Sequence, residues 1–144
     1  MEKQPQFPFA PKDFARCLNA TCPRSQNCLR RTAALQDTDE HLFLKVVNPL
    51  RYPKEGEECE LFRSTDKVRM AWGVTHLLDN VPYKEGSLLR NMIINPLGRS
   101  QYYRCFRKER PFAPQDQQTI RMLFRQRGIS EEPSFDYYTN EFNW

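Results

Sequence analysis

Apolar side chains recur every three or four positions through most of the second half of the chain. This repeat places them on one face of a helix. It predicts helices over residues 66–79, 84–94, 99–108 and 115–127. A shorter helix is predicted over residues 27–35, and the apolar side chains of the tail, residues 135–142, also stand at helical spacing.

One segment of the first half has a different pattern. Residues 41–47, His-Leu-Phe-Leu-Lys-Val-Val, are β-prone and end at Asn48-Pro49, so they predict one short strand or hairpin. Prolines 5, 8 and 11 predict an extended arm over residues 1–14. The expected fold is a mainly α, small single domain. Its cysteine-containing part is residues 1–63, and its basic helical part with an acidic aromatic tail is residues 64–144.

The length of 144 residues suits one domain, and the aromatic content of 12% argues against disorder. The sequence has no run of 18 apolar residues, so we expect no membrane span. The start Met-Glu-Lys-Gln-Pro lacks the apolar core of a signal peptide. We therefore expect a cytoplasmic protein with reduced thiols.

The charge of the chain is divided into blocks. The net charge is only +4, but residues 84–128 carry ten Lys or Arg against three Asp or Glu. Residues 129–144 carry four acids and no base. A basic block followed by an acidic tail is typical of a nucleic-acid contact. The alternative is a solvated basic face with the acidic segment folded back on it.

Four cysteines suggest a metal site. Cys17, Cys22 and Cys28 have the spacing Cys-x4-Cys-x5-Cys, and Cys59 follows after thirty residues. Four thiolates form a tetrahedral zinc site when they converge, and an iron–sulfur cluster accepts the same ligands. Zinc is the favoured cofactor; inert buried thiols and disulfides are the alternatives. Cys105, beside Phe106, is expected to be a packed side chain.

The basic segment predicts a helix-turn-helix-like unit. Residues 88–94 are the apolar first helix, Leu97-Gly98 the turn, and the next helix begins at Arg99. The stretch Gly-Arg-Ser-Gln-Tyr-Tyr-Arg, residues 98–104, resembles the recognition-helix entrance of small phage-repressor-like DNA-binding domains. The predicted nucleic-acid-binding residues are the polar and basic ones that follow the turn: Arg99, Ser100, Gln101, Tyr102, Arg104, Arg107, Lys108 and Arg110.

No catalytic set is evident, so we expect a protein that is not an enzyme. The sequence has two histidines, no glycine-rich phosphate loop and no Gly-x-Ser-x-Gly motif. A Cys105 nucleophile with His76 as its base is a conceivable alternative. The favoured hypothesis is a small nucleic-acid-binding regulatory protein with a structural metal site. Its rival is a metal-stapled adaptor that binds a protein partner and no nucleic acid.

The order of short motifs along the chain resembles an uncharacterised bacterial family known only as a domain of unknown function. The motifs are Cys-Leu-Asn at 17–19, Cys-Pro at 22–23, Cys-Leu-Arg at 28–30, Val-Asn-Pro at 47–49, Cys59 before Phe62, Gly-Val-Thr-His-Leu-Leu-Asp-Asn at 73–80, residues 98–104, and the aromatic tail ending in Trp144. The resemblance covers nearly the whole length. It implies a bacterial origin and a self-contained protein, and it implies no activity.

Overall fold

The structure, a computed structural model, describes residues 8–36 and 40–144. The chain forms two compact units. The first, unit 1, comprises Met1–Asp66 and Phe142–Trp144, and the second, unit 2, comprises Lys67–Glu141. Within the described residues there are four α-helices and one two-stranded antiparallel sheet. Helices and strands both contribute, so the fold is less purely helical than the sequence predicts.

The helices and strands have the following bounds: α1 Leu29–Ala34, β1 Lys67–Trp72, α2 Tyr83–Leu97, α3 Arg99–Phe106, α4 Pro114–Gln126 and β2 Tyr137–Phe142. Helices α1 to α4 lie where the apolar spacing predicts them, with shifts of a few residues at their ends. Two short 3-10 turns, Ser25–Asn27 and Pro49–Arg51, complete unit 1.

Unit 1 is held together by a small core and by isolated backbone bridges. Phe14, Leu29 and Ala33 are buried in this core, and Phe142 and Trp144 pack against it. Backbone bridges join Arg16 to Val46 and Cys28 to Ser64. Unit 1 has little regular structure in its described part, so these long-range bridges fix the loops that carry its cysteines. Of the predicted extended arm, residues 1–7 lie outside the described residues.

The predicted strand over residues 41–47 does not form. All seven residues are described, and their pairing is limited to the bridge between Val46 and Arg16. Leu42 and Phe43 are 95% and 87% exposed, whereas Val47 at the end of the segment is buried. A β-prone segment becomes a strand only when a neighbouring strand accepts its hydrogen bonds.

The predicted helix over residues 66–79 is wrong, and so is the helical interpretation of the tail. The first half of this segment, Lys-Val-Arg-Met-Ala-Trp, is β1, and the tail contains β2. Polar and apolar residues alternate at the start of β1, which also fits a strand, and the pairing with β2 decides between the two periods. The partner strand is about 70 residues away in sequence, so local periodicity does not reveal it.

Side chains across the sheet reinforce this pairing. The ring of Trp72 stacks on Tyr137 with centroids 5.9 Å apart, and Trp72 Nε1 donates a hydrogen bond to Thr139 Oγ1 at 2.8 Å. The guanidinium of Arg69 lies 3.7 Å from the centre of the Tyr138 ring. Aromatic and cation–π pairs of this kind stabilise neighbouring strands.

The core of unit 2 lies where α2 packs against α3 and α4, and where α4 also packs against β1. Leu89, Phe112 and Ile120 are completely buried there. Helix α2 continues through Pro96, although the sequence predicts its end at residue 94. Gly98 N–H donates to the Ile94 carbonyl at 2.8 Å, so the backbone ladder resumes beyond the proline. Pro96 therefore removes one hydrogen bond without ending the helix.

Candidate functional site

The four cysteines of unit 1 are positioned by turns and by backbone bridges. The Cys22 and Cys59 carbonyls each accept a hydrogen bond from the N–H three residues later, at 3.1 and 3.2 Å. Cys28 precedes α1 and accepts from Thr32 N–H at 3.0 Å. Cys17 N–H donates to the Arg30 carbonyl at 3.0 Å. Turns and helix starts of this kind let a short segment present a thiol to a common point.

All four cysteines line a single cavity. Its volume is about 30 Å³. A cavity needs roughly 10–15 Å³ to hold one water molecule, so this space admits a single ion or one or two waters and excludes an organic ligand. The sequence therefore identified four thiols that the fold brings to one small space.

The thiols are not arranged as a coordination sphere. Among the described residues, no three Cys, His, Asp or Glu side chains are placed so as to hold a metal ion. All five cysteines of the chain are free thiols. The four cysteines line one cavity, and binding of a metal would require their side chains to turn toward a common centre.

Arginines surround the same cavity, and Arg30 is the most firmly fixed of them. Its Nε donates to the Leu61 carbonyl at 2.8 Å and its Nη1 to the Ala15 carbonyl at 3.0 Å. Burial lowers the pKa of Arg30, and the nearby charge of Arg63 lowers it further. Ionised thiols at Cys28, Cys59 and Cys17 act on this pKa in the opposite direction, which places the guanidinium within electrostatic range of three thiols.

The predicted nucleic-acid-binding residues divide into three groups in the structure. Tyr102 is 3% exposed and lies in the core of unit 2, so the prediction that it contacts nucleic acid is corrected. Arg107 and Lys108 form ion pairs with Glu109 at 2.8 Å and Asp136 at 3.2 Å. The remaining five lie on or beside the outer face of α3: Arg99, Ser100, Gln101, Arg104 and Arg110.

These five residues are close to one another. Arg110 Nη1 donates a hydrogen bond to Gln101 Oε1, which joins the segment after α3 to its first turn. The guanidinium of Arg99 lies 5.5 Å from the centre of the Tyr103 ring. Among the described residues, none of the three arginines of this group forms an ion pair with a carboxylate. We call the five residues the α3 face.

The connection between α2 and α3 is shorter than the predicted turn. The two helices are separated by Gly98 alone, which has a φ of +86°. A helix-turn-helix joins its helices by three or four residues. Helix α3 has no side-chain cap, so the N–H groups of its first turn are available to an anion.

The complete chain, residues 1–144, matches the family described as "Family of unknown function (DUF6078)". The chain belongs to this family. No curated protein and no solved structure matches the chain.

Membership of DUF6078 identifies no activity, so the chemistry of this member is argued from its geometry. Across residues 8–36 and 40–144, no helix combines the length and the apolar character that a membrane crossing needs. Burial raises the pKa of Cys105 to about 11, so this thiol is almost entirely protonated at neutral pH. That state disfavours Cys105 as a nucleophile. The proposed base, His76, instead pairs with Asp79 at 2.7 Å.

Sequence reasoning missed the arginines that surround the cysteine cavity. Arg30 and Arg31 directly follow the Cys28-Leu29 pair, and Arg24 and Arg51 come from separate loops. The doublet after a cysteine was a visible signal, because cations close to thiols favour the ionised form that binds metals. The two loop arginines gave no such signal, because their positions depend on the folding of unit 1.

Proposed function

We propose that this member of DUF6078 is a small regulatory protein that binds DNA through the α3 face. The observation that carries the proposal is a set of three cations on that face that form no ion pair among the described residues: Arg99, Arg104 and Arg110. Arginine binds phosphate oxygens through two parallel N–H donors, and Ser100 and Gln101 add neutral hydrogen-bonding groups between them.

The ion pairs elsewhere in unit 2 strengthen this assignment. Arg121 and Arg125 pair with Glu132, and Arg127 pairs with Glu85 at 2.7 Å. Much of the basic block predicted from the sequence is therefore neutralised within unit 2. The α3 face keeps its positive charge, which is the condition for binding a polyanion and releasing its counterions.

A pair of matched double variants tests this function by fluorescence anisotropy of a labelled duplex over a range of salt concentrations. Arg99→Ala with Arg104→Ala removes two charges from the α3 face. Arg125→Ala with Arg127→Ala removes two charges from ion-paired positions of the same unit. We expect the first variant alone to weaken binding and to reduce the salt slope by roughly 0.9 per lost phosphate contact. Equal losses in both variants, or no binding by the wild type at low salt, would contradict the proposal.

The same proposal assigns a structural zinc ion to Cys17, Cys22, Cys28 and Cys59. A cavity of about 30 Å³ is closer in size to one ion than to an iron–sulfur cluster of several atoms. A Zn²⁺ bound by four thiolates carries a net negative charge, and Arg24, Arg30 and Arg31, which line the same cavity, would offset it. The ion would link the loops of unit 1, whose regular structure is slight.

Elemental analysis of the anaerobically purified protein tests the metal site. We expect about one zinc per chain and no visible colour. Cys22→Ser should lower metal content and melting temperature together, whereas Cys105→Ala should leave the metal content unchanged. A brown protein that contains iron and sulfide would mean that the site holds an iron–sulfur cluster and not zinc. A wild-type protein without metal would contradict the metal site.

A second candidate function, a protein-binding adaptor, is favoured by one observation in unit 1. Leu42 and Phe43 are almost fully exposed side by side. Exposed apolar neighbours of this kind are found at protein-binding surfaces. If the protein is an adaptor, one dominant partner should be recovered after nuclease treatment, and Leu42→Ser with Phe43→Ser should abolish its recovery. If the protein binds DNA and only the Arg99→Ala with Arg104→Ala variant loses this binding, the first function is supported instead.

A further inference from the structure

Unit 1 contains a second and much larger pocket beside the cysteine cavity. Its volume is about 380 Å³, which lies at the lower end of the roughly 300–1,000 Å³ typical of small-molecule sites. Three cationic side chains line it, together with two aromatic rings: Arg30, Lys45, Arg63, Phe14 and Trp144. Asp13 is the single acidic residue among the lining residues.

Two of the three cations of this pocket, Arg63 and Lys45, are not neutralised by a carboxylate among the described residues of unit 1. In the described part of the chain, Arg63 and Lys45 form no ion pair. Arg30 and Arg63 line the same pocket, so two like charges are presented to one site. Gathering like charges in a concave site costs free energy, and a bound anion removes that cost.

Arg30 is held ready for an anion. Two backbone carbonyls fix its Nε and Nη1, and the Phe14 ring lies 4.7 Å from the guanidinium carbon. No hydrogen bond within the described residues uses Nη2. A donor that is already oriented loses little entropy when a ligand binds.

The aromatic wall indicates what the anion is attached to. The Phe14 and Trp144 rings meet edge to face with centroids 5.3 Å apart, and Phe142 supports Trp144 at 5.9 Å. Trp144 is only partly buried, so part of its surface remains open to a ligand. A flat heteroaromatic ring, such as a nucleic-acid base, stacks favourably on such a surface.

We propose that this pocket binds a nucleoside monophosphate. Arg63, Lys45 and Nη2 of Arg30 hold the phosphate, and the base lies against Trp144. The site belongs to unit 1 and uses none of the residues of the α3 face, so it stands independently of the DNA-binding proposal. It would give the protein a small-molecule effector.

The fluorescence of Trp144 reports binding directly. The chain has two tryptophans, so Trp72→Phe leaves Trp144 as the only one. We expect AMP to change this fluorescence saturably at micromolar to millimolar concentrations, and adenosine and inorganic phosphate to bind at least about tenfold more weakly. Absence of a saturable change with AMP overturns the proposal. Equal affinity for inorganic phosphate overturns the role of Trp144 and with it the ligand class.

Charge variants in the same Trp72→Phe background separate a site from general attraction. Lys45→Ala should weaken AMP binding about tenfold, as expected for the loss of a charge-assisted hydrogen bond, and Arg63→Ala should weaken it at least as much. Lys54→Ala removes the same charge from an exposed position of unit 1 outside the pocket, and should have no effect. If Arg63→Ala does not fold, exposed Lys45 carries the test. Equal effects at Lys45 and Lys54 overturn the proposal.

The Arg99→Ala with Arg104→Ala variant distinguishes this site from the α3 face. It should retain AMP binding even if it loses DNA binding. If this variant lost AMP binding, the ligand would have to bind unit 2, and the assignment of the site to unit 1 would be overturned.

Discussion

At the scale of single residues, Gly73 shows how closely unit 2 is packed around one carboxylate. Gly73 follows β1 with a φ of +75°. The Asp136 carboxylate lies where a Cβ would stand, accepts a hydrogen bond from Thr75 Oγ1 at 2.7 Å and pairs with Lys108 at 3.2 Å. The Asp136 N–H donates to the Gly73 carbonyl at 3.2 Å. A glycine is required here for its backbone conformation and for its missing side chain.

Gly73→Ala is therefore expected to destabilise the protein more than a positive φ alone would. Gly128 is the matched control: its φ is +74°, and nothing lies within 4 Å of an added Cβ. Gly128→Ala should cost about 1–2 kcal/mol for the left-handed conformation. Gly73→Ala should cost about 1–3 kcal/mol more, because the new methyl displaces the Asp136 carboxylate. Urea unfolding of both variants measures the difference, and equal losses would show that the carboxylate moves freely.

The contribution of Asp136 to stability should depend on pH. Burial raises its pKa, but the hydrogen bonds from Thr75 and Lys108 lower it more, so the net pKa lies below the ordinary value of 3.8. A carboxylate with a lowered folded-state pKa stabilises the fold above its unfolded-state pKa, and the contribution is lost as pH falls through the folded-state pKa. Asp136→Asn should thus cost about 1–3 kcal/mol at pH 7, and the difference from wild type should shrink below about pH 4.

Chemical unfolding of wild type and Asp136→Asn at several pH values from 7 to 3 measures this difference. A cost that stays constant down to pH 3 would mean that the side chain acts through its shape and not through its charge. The predicted pH range follows from the direction of the shift alone.

At the scale of helices and strands, the sequence predicts what depends on local spacing. Helices α2, α3 and α4 follow from apolar residues at helical intervals, and Gly128 predicts the end of α4. The strands β1 and β2 do not follow, because each forms only when it meets the other. The segment at residues 41–47 is the converse case: it has the composition of a strand and lacks a partner beyond one bridge.

Helices α3 and α4 end in the same hydrogen-bond motif with different residues. The Glu109 N–H donates to the Arg104 carbonyl at 2.9 Å, and the Ile129 N–H donates to the Phe124 carbonyl at 3.0 Å. This six-to-one bond is typical of helix ends that place a left-handed residue after the cap. Gly128 takes that position in α4, but in α3 it is Lys108, with a φ of +60°.

The strain at Lys108 can be separated from its ion pair by two variants. Lys108→Ala and Lys108→Gly both remove the ammonium that pairs with Asp136, but only glycine tolerates a positive φ without cost. We expect the glycine variant to be more stable than the alanine variant by about 1 kcal/mol. Thermal unfolding of the two proteins checks the prediction. Equal stability would mean that the end of α3 rearranges when the lysine side chain is removed.

At the scale of the whole molecule, composition predicts the number of charges and thiols but not their partners. The basic block suggested eight binding residues, yet folding buries Tyr102 and pairs Arg107 and Lys108 with acids. The four cysteines do reach one cavity, because loops of unit 1 return to the same place. The nucleotide pocket could not be predicted, since its residues come from five separate segments of the chain.

The two tryptophans give each unit its own probe, because Trp144 belongs to unit 1 and Trp72 to unit 2. A ligand that binds only the folded state stabilises it by RT ln(1 + [L]/Kd), or about 2.7 kcal/mol at a hundredfold excess over Kd. Zinc bound by the cysteines should therefore raise the midpoint of the unfolding transition that Trp144 fluorescence reports in a Trp72→Phe protein. The increase in this midpoint should be larger than the increase in the midpoint followed by Trp72 fluorescence in a Trp144→Phe protein. Cys22→Ser in the Trp72→Phe background should remove the zinc effect, and an unchanged Trp144 midpoint with zinc and with chelator would contradict a metal-stapled unit 1.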